Sequence, residues 1–277
     1  MRIHTEYARA KVNLDLKVLG KRDDGFHALE TRMAPVSLAD VLYFSKADAY
    51  SLSCATPGVP IDETNLVSMA VRIFQRETGK ACAYHIELEK HVPHAAGLGG
   101  GSGDAAAALR ALNQLEGANV SVETLAEWAG EIGSDVPFFV YDGVCDCSGR
   151  GEIVKPVAFE HQLDAVLLKP QFAVSTPKAF QAWLGSEEIQ GVDYAVQPHP
   201  SGNFFNDLER PVFQKHRFLA EMKMWLLGQA EVDVAMMSGS GSTMIAILSD
   251  CASAELLVDR AKRELDPRMW SSVVKIG

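Results

Sequence analysis

The sequence predicts a mixed α and β protein, α/β or α+β, and two observations carry that prediction. Some segments repeat apolar residues at helical spacing while others alternate apolar and polar residues. Both kinds of segment occur in each half of the chain.

The first third reads mostly as strands. Residues 12–19 alternate around Asn13, Asp15 and Lys17, then break in a polar turn between Gly20 and Gly25. Residues 29–33, 41–45 and 50–53 are further short strands. Residues 65–78 place Leu66, Val67, Ala70, Val71, Ile73 and Phe74 on one helical face, with Gly79 as a stop. In residues 84–89, Tyr84, Ile86 and Leu88 alternate with His85, Glu87 and Glu89, the pattern of a half-buried strand. Residues 93–104 read as a glycine loop and 105–115 as an Ala- and Leu-rich helix. Ser121 caps the next helix, with Glu123 in its first turn and Gly133 beyond its end. The apolar residues 136–147 read as strand.

In the second half, residues 165–168 form a short buried strand. Thr176 and Pro177 open a short helix as N-cap and first residue. Residues 197–206 read as loop and 211–227 as helix. Residues 232–237 and 243–248 are strands joined by Ser238-Gly239-Ser240-Gly241-Ser242. A helix over 252–265 and a strand over 271–276 close the chain. A boundary near 155–165, where Lys155 and Pro156 lead into a charged turn, divides it into residues 1–158 and 159–277.

Composition narrows the function classes. The 277 residues are 47% hydrophobic and 22% charged, an ordinary globular balance. With 26 Lys and Arg against 36 Asp and Glu, the formal charge is −10, opposite to the Lys/Arg surplus that duplex DNA binding leans on. Five scattered cysteines without a C-x-x-C pair suit reduced thiols. No signal-peptide pattern or long apolar run is present, so a cytoplasmic protein is expected.

The main chemical signal is Gly97-Leu98-Gly99-Gly100-Gly101-Ser102-Gly103-Asp104, running straight into a helix. Glycines let backbone N–H groups approach an anion without Cβ obstruction, and the helix start adds unpaired N–H groups and a positive dipole end. The run lacks the Gly-Lys-Ser/Thr ending of a Walker A loop. Pro93 intervenes where a dinucleotide fingerprint needs a direct strand-to-helix turn. Residue 104 is Asp, so a Gly-x-Ser-x-Gly nucleophile elbow also fails. The second Gly/Ser turn at 238–242 reads as a hairpin or as another amide-lined wall.

Phosphoryl transfer to an alcohol needs a positioned hydroxyl, a group to take its proton and positive charge over the phosphoryl. Lys11 and Asp135 are isolated charges in apolar settings and qualify. A lysine on an edge strand and an aspartate capping a turn are the plain structural readings of the same two residues.

Residues Ala10-Lys11-Val12-Asn13-Leu14, Asp24-Gly25-Phe26-His27, Asn65-Leu66-Val67, the run from Pro93 to Ala106, Gly133-Ser134-Asp135-Val136-Pro137-Phe138-Phe139 and the turn at 238–242 resemble the GHMP small-molecule kinases in order and spacing. The resemblance covers nearly the whole chain. It implies an α+β, two-domain GHMP kinase fold: an N-terminal ribosomal-protein-S5-like α/β domain, a C-terminal ferredoxin-like α+β domain and an active site between them. The Asp-Gly-Phe-His and Gly-x-Asp-Val-Pro-Phe-Phe segments resemble the branch that phosphorylates the 2-hydroxyl of 4-diphosphocytidyl-2-C-methyl-D-erythritol in the non-mevalonate isoprenoid pathway.

By that resemblance Lys11 and Asp135 form the catalytic pair. ATP lies along Gly97, Leu98, Gly99, Gly100, Gly101, Ser102 and Gly103, with Pro93 bordering it and adenine near Asn65 and Lys90. Asn13, Phe26, His27 and Thr176 hold the substrate, and the segment Asn206-Asp207-Leu208-Glu209 borders the substrate cleft. Mg²⁺ accompanies the nucleotide, with Ser102 a candidate ligand. The expected partners are ATP and a small-molecule alcohol, with no nucleic acid and no membrane, and the chain is a monomer or weak homodimer. Three positions depart from the family pattern: Gly103 replaces a second Ser, Phe26 replaces a Tyr, and Ser148-Gly149-Arg150 replaces a Glu-Gly-x stretch. A GHMP kinase for another alcohol, and a nucleotide-binding sensor without catalysis, are the alternative functions.

Overall fold

The computed structural model describes residues 1–277. The chain opens with β1 (Arg2–Asn13), β2 (Asp15–Lys21), β3 (His27–Lys46), β4 (Ser51–Cys54), α1 (Leu66–Thr78) and β5 (Tyr84–Glu89). Then come α2 (Gly100–Leu115), α3 (Val122–Ile132), α4 (Val136–Tyr141), β6 (Cys145–Gly149) and β7 (Ile153–Pro156). The rest comprises β8 (Leu163–Lys169), α5 (Thr176–Ala182), β9 (Gln197–His199), β10 (Gly202–Asn206), α6 (Glu209–Lys215), α7 (Arg217–Leu227), β11 (Val232–Met237), β12 (Met244–Leu248), α8 (Ala254–Glu264) and β13 (Trp270–Ile276).

The 20-residue β3 is the spine of the sheet. It pairs antiparallel with β1, β2, β5 and β6 and meets β13 at Val36 and Ile276. Through β13 the sheet continues to β8, β12 and the terminal strand β11. Only β4 on β5 and β10 on β2 run parallel, so the class is α+β.

Three hydrophobic cores follow from strand alternation. On β8, Val166 and Leu168 face a core with α5 to α8, while Leu163, Ala165 and Leu167 face the opposite way. β12 divides likewise, Met244, Ala246 and Leu248 against Ile245 and Ile247. The second face packs on Ala10 and Val12 of β1, on Leu14 just after it and on Ala34 and Val36 of β3, which joins the two parts of the sheet. The third core lies under α1 to α4, where Ala105 to Leu109 of α2 are fully buried.

Several elements follow their local signals. Asn65 caps α1 by accepting from Val67 N at 2.8 Å, and Gly79 ends it at φ 68°. Ser121 caps α3 by accepting from Thr124 N.

Other elements differ from the sequence expectation. Residues 29–33 and 41–45 belong to one strand, because β3 takes different partners along its length. The strand expected over 12–19 is broken at Leu14. Residues 100–104 are the first turn of α2 rather than loop, since the alanine run packs the helix from both sides despite glycine's low propensity. Residues 136–141 are helix α4 rather than strand. Residues 197–206 form the β9–β10 hairpin, which β2 extends. His216 breaks the helix expected over 211–227. Ser175 is the N-cap of α5, so Thr176 is its first residue.

Candidate active site

One cavity of about 430 Å³ opens at the start of α2. The segment before the helix is shaped by close approach. A Cβ added to Gly97 (φ 77°) would stand 2.4 Å from the Ser238 carbonyl oxygen and 3.0 Å from that of Gly241. A Cβ on Gly99 (φ 70°) would stand 2.6 Å from the Phe139 ring and 3.2 Å from Lys11 Cγ. Glycine therefore lets three segments meet here: the approach to α2, strand β1 and the Ser238–Ser242 turn. Ser238 Oγ donates to the Gly97 carbonyl at 3.1 Å. Gly99 caps α2 without a side chain, and the first-turn amides have no intrahelical acceptor. Gly99, Gly100, Gly101 and Ser102 all line the cavity, so its floor is a helix N-terminus suited to an anion.

Lys11 rises from β1 beside this floor. Its side chain is 5% exposed, and its Nζ donates to Asn13 Oδ1 at 2.7 Å and lies 3.8 Å from Asp135 Oδ2. Asn13 Nδ2 donates to Thr31 Oγ1, which donates to the Asp15 carbonyl at 2.5 Å. The Lys11 backbone N–H donates to the Leu98 carbonyl at 2.9 Å, tying β1 to the glycine segment. Asp135 stands at the N-cap of α4 but makes no capping hydrogen bond, so its carboxylate is free to face the cavity.

A second charged group sits in the cavity wall. Lys90 Nζ contacts both Asp40 Oδ2 and Asp104 Oδ2. Asp40 Oδ1 also accepts from His91 N and Val92 N. Burial acts to lower the Lys90 ammonium, but Asp104 and Asp40 outweigh it and hold its pKa above the ordinary value. Burial, with Asp40 adding to it, pushes the Asp104 carboxyl up to about 8, and Asp104 Oδ1 has no hydrogen-bond partner.

The cavity brings together Lys11, Asn13, Asn65, Lys90, Pro93, Gly97, Gly99, Gly100, Gly101, Ser102, Asp135 and Thr176. Thr176 Oγ1 is 2.6 Å from Ser240 Oγ. Four of the residues assigned from the sequence to the nucleotide or the substrate are not on the wall. Leu98 buries its side chain in the core and presents its carbonyl to Lys11. Gly103 packs against β1, where an added Cβ would meet the Arg9 carbonyl at 2.9 Å. Phe26 is half exposed with the Arg150 guanidinium 4.8 Å from its ring centroid. His27 stacks on Phe180 at 5.4 Å, with Trp183 edge-on at 6.3 Å.

Thr31, Asp104, Arg150 and Phe180 line the cavity without having been given a site role from the sequence, and Asp40 stands behind it. Asp40 carried a readable signal: like Asp135, it is a lone charge among apolar neighbours. The four residues from Asn206 to Glu209, expected at the substrate cleft, are not on the wall; Asn206 and Glu209 are buried behind the Ser238–Ser242 turn.

The GHMP kinases N terminal domain model matches residues 65–143. The 4-diphosphocytidyl-2-C-methyl-D-erythritol kinase of Protochlamydia amoebophila is 40% identical over 87% of this chain and 83% of its own length. The enzyme of that name from Methylacidiphilum infernorum is 37% identical over 98% of this chain and 96% of its own. A crystal structure of 4-(cytidine 5'-diphospho)-2C-methyl-D-erythritol kinase superposes with a TM-score of 0.82 at 31% identity, covering 99% of each chain. Sequence and fold similarity extend over nearly the whole length, and the chain belongs to the 4-diphosphocytidyl-2-C-methyl-D-erythritol kinase family of the GHMP kinases.

Proposed function

We propose that this protein transfers the γ-phosphoryl group of ATP to the 2-hydroxyl of 4-diphosphocytidyl-2-C-methyl-D-erythritol, releasing ADP, in the non-mevalonate route to isoprenoid precursors. The observation that carries the reading is the facing of buried Lys11 and cavity-exposed Asp135 beside the open amides of α2. Asp135 orients the attacking hydroxyl and takes its proton as the new O–P bond forms. Lys11, fixed by Asn13, holds positive charge over the equatorial oxygens of the transferring group. The wall residues Gly97, Gly99, Gly100, Gly101 and Ser102 receive the phosphates, with Pro93 beside them; the Gly103 amide is spent on the Gly99 carbonyl, so Gly103 serves by letting α2 pack on β1. Asn65 and the Lys90 segment border adenine. The Lys90 ammonium is occupied by the Asp40 and Asp104 carboxyl groups, so it contributes shape there rather than charge. Asn13 and Thr176 hold the substrate from the wall, and Phe26 and His27 support it through the wall residues Arg150 and Phe180 on which they pack.

The site also fits Mg²⁺ travelling with the nucleotide. No group of three or more His, Cys, Asp and Glu is arranged to hold a metal ion, so Ser102 and the phosphates would bind it, with water completing the shell. When bound, the ion neutralises phosphate charge. Residues 1–158 and 159–277 act in this reading as two domains facing each other across the cavity. All of the groups come from one chain, and the reading extends to a monomer or weak homodimer working in the cytoplasm. No helix is long and apolar enough to cross a membrane.

Nuclear magnetic resonance of the product tests the reading. Incubation with Mg-ATP and 4-diphosphocytidyl-2-C-methyl-D-erythritol, mevalonate, homoserine or galactose should give a new phosphate monoester only with the first, at its 2-position. A monoester formed from another alcohol instead would overturn the substrate assignment.

A further inference from the structure

The turn from Ser238 to Ser242 touches both sides of the reacting centre. Gly97 packs on its backbone, and a Cβ on Gly239 would lie 3.2 Å from Asn13 Oδ1 and 3.5 Å from Lys11 Nζ. The turn leaves β11, the terminal strand of the sheet, whose outer edge lacks a neighbouring strand at Met237. Side chains complete that edge. Asn206 Nδ2 donates to the carbonyls of Met237 and Gly239, each at 2.7 Å, and Asn206 Oδ1 accepts from Leu208 N. Glu209 Oε1 accepts from Met237 N at 2.8 Å, and its Oε2 accepts from Lys223 Nζ at 2.7 Å. Between them, Asp207 accepts from Val18 N and donates its own N–H to the Leu16 carbonyl, on the strand that follows Lys11 and Asn13. Three of four consecutive residues therefore hold the turn and β2 at once. None of them lines the cavity.

Stability alone is a weak reason for this arrangement. Glu209 and Lys223 are both 2% exposed, and burying two charges costs about as much as their attraction returns. An apolar pair would fill the same space. What an apolar pair would lose is the acceptor for Met237 N.

Resting on the kinase reading above, we propose that Asn206 and Glu209 are positioning residues of the phosphoryl-transfer site. They fix the Ser238–Ser242 turn, and through it the placement of Lys11 and Asn13 against the phosphates.

Two double variants separate positioning from stability. Glu209→Gln with Lys223→Met removes the charges and keeps an acceptor for Met237 N. Glu209→Met with Lys223→Met removes the acceptor too. The melting temperatures of the two doubles should agree within about 4 °C. The methionine double should have a kcat about tenfold or more below the glutamine double, because small displacements of reacting groups act on turnover. Its KM for ATP should change less than threefold by our estimate. Asn206→Asp, which keeps the acceptor for Leu208 N and sets an anion against two carbonyls, should show the same split between kcat and KM. If that variant does not fold, the two doubles decide. Equal kcat in the two doubles, with the unmodified protein active, would overturn the positioning role alone. No turnover of 4-diphosphocytidyl-2-C-methyl-D-erythritol by the unmodified protein would overturn the kinase reading and this proposal with it.

Discussion

Lys11 Nζ and Asp135 Oδ2 stand 3.8 Å apart, and the two side chains differ in exposure, 5% against 41%. The lysine is a fixed cation, anchored on Asn13 and walled in by Gly99 and Gly239. The aspartate is the member of the pair that an incoming hydroxyl can reach. That asymmetry divides the labour: charge stabilisation from below, hydroxyl handling from the open side.

Lys11→Met should lower kcat by about 10²–10³-fold, the cost of removing one fixed stabiliser of developing charge. Lys11→Arg should not restore it, because the side chain is buried and Asn13 Oδ1 is set for a single ammonium donor. Steady-state kinetics on both variants check this. Recovery in the arginine variant would show that charge without placement suffices.

Two glycines of the phosphate segment should behave differently. Gly97→Ala drives a Cβ against the Ser238 carbonyl and strains a positive φ, so it should cost about 1–3 kcal/mol of stability and raise the KM for ATP. Gly101→Ala meets only Leu66 Cδ1 at 3.6 Å, an ordinary contact. Its melting temperature should stay near that of the unmodified protein. Thermal melts of the pair, with ATP titrations, test the ordering.

The Asp40–Lys90–Asp104 cluster predicts a pH-dependent stability. Burial raises the Asp104 carboxyl in the folded chain, with Asp40 opposing the relief that Lys90 supplies. Unfolded, it ionises near the usual 4. Between about 4 and about 8 the folded state therefore holds the extra proton, and stability from this group falls as pH rises through that window. Asp104→Asn removes the effect. The melting temperature of the variant relative to the unmodified protein should climb between pH 4.5 and pH 8. A difference independent of pH would contradict the raised carboxyl.

Much of this was legible in the residues. Asn65 and Gly79 bracket α1 because a cap and a left-handed stop are local events. Lys11 and Asp135 stand out because an isolated charge among apolar neighbours has few structural uses. α4 was not legible: six apolar residues in a row carry no period that separates helix from strand. The helical first turn at Gly100 was hidden by glycine's low propensity and is imposed by packing of the alanines that follow. The Asp40–Lys90–Asp104 cluster joins residues from β3, the end of β5 and α2, and only the fold brings them together. The role of Asn206 and Glu209 was equally hidden, since a polar loop and a buried sheet-edge brace look alike in sequence.

The most direct test of the central claim is ADP release from Mg-ATP with 4-diphosphocytidyl-2-C-methyl-D-erythritol, comparing the unmodified protein with Asp135→Ala. The account predicts turnover in the first and a loss of about 10²–10⁴-fold in the second, with the KM for ATP little changed. Equal turnover in both, or ATP binding without ADP release in the unmodified protein, would contradict it.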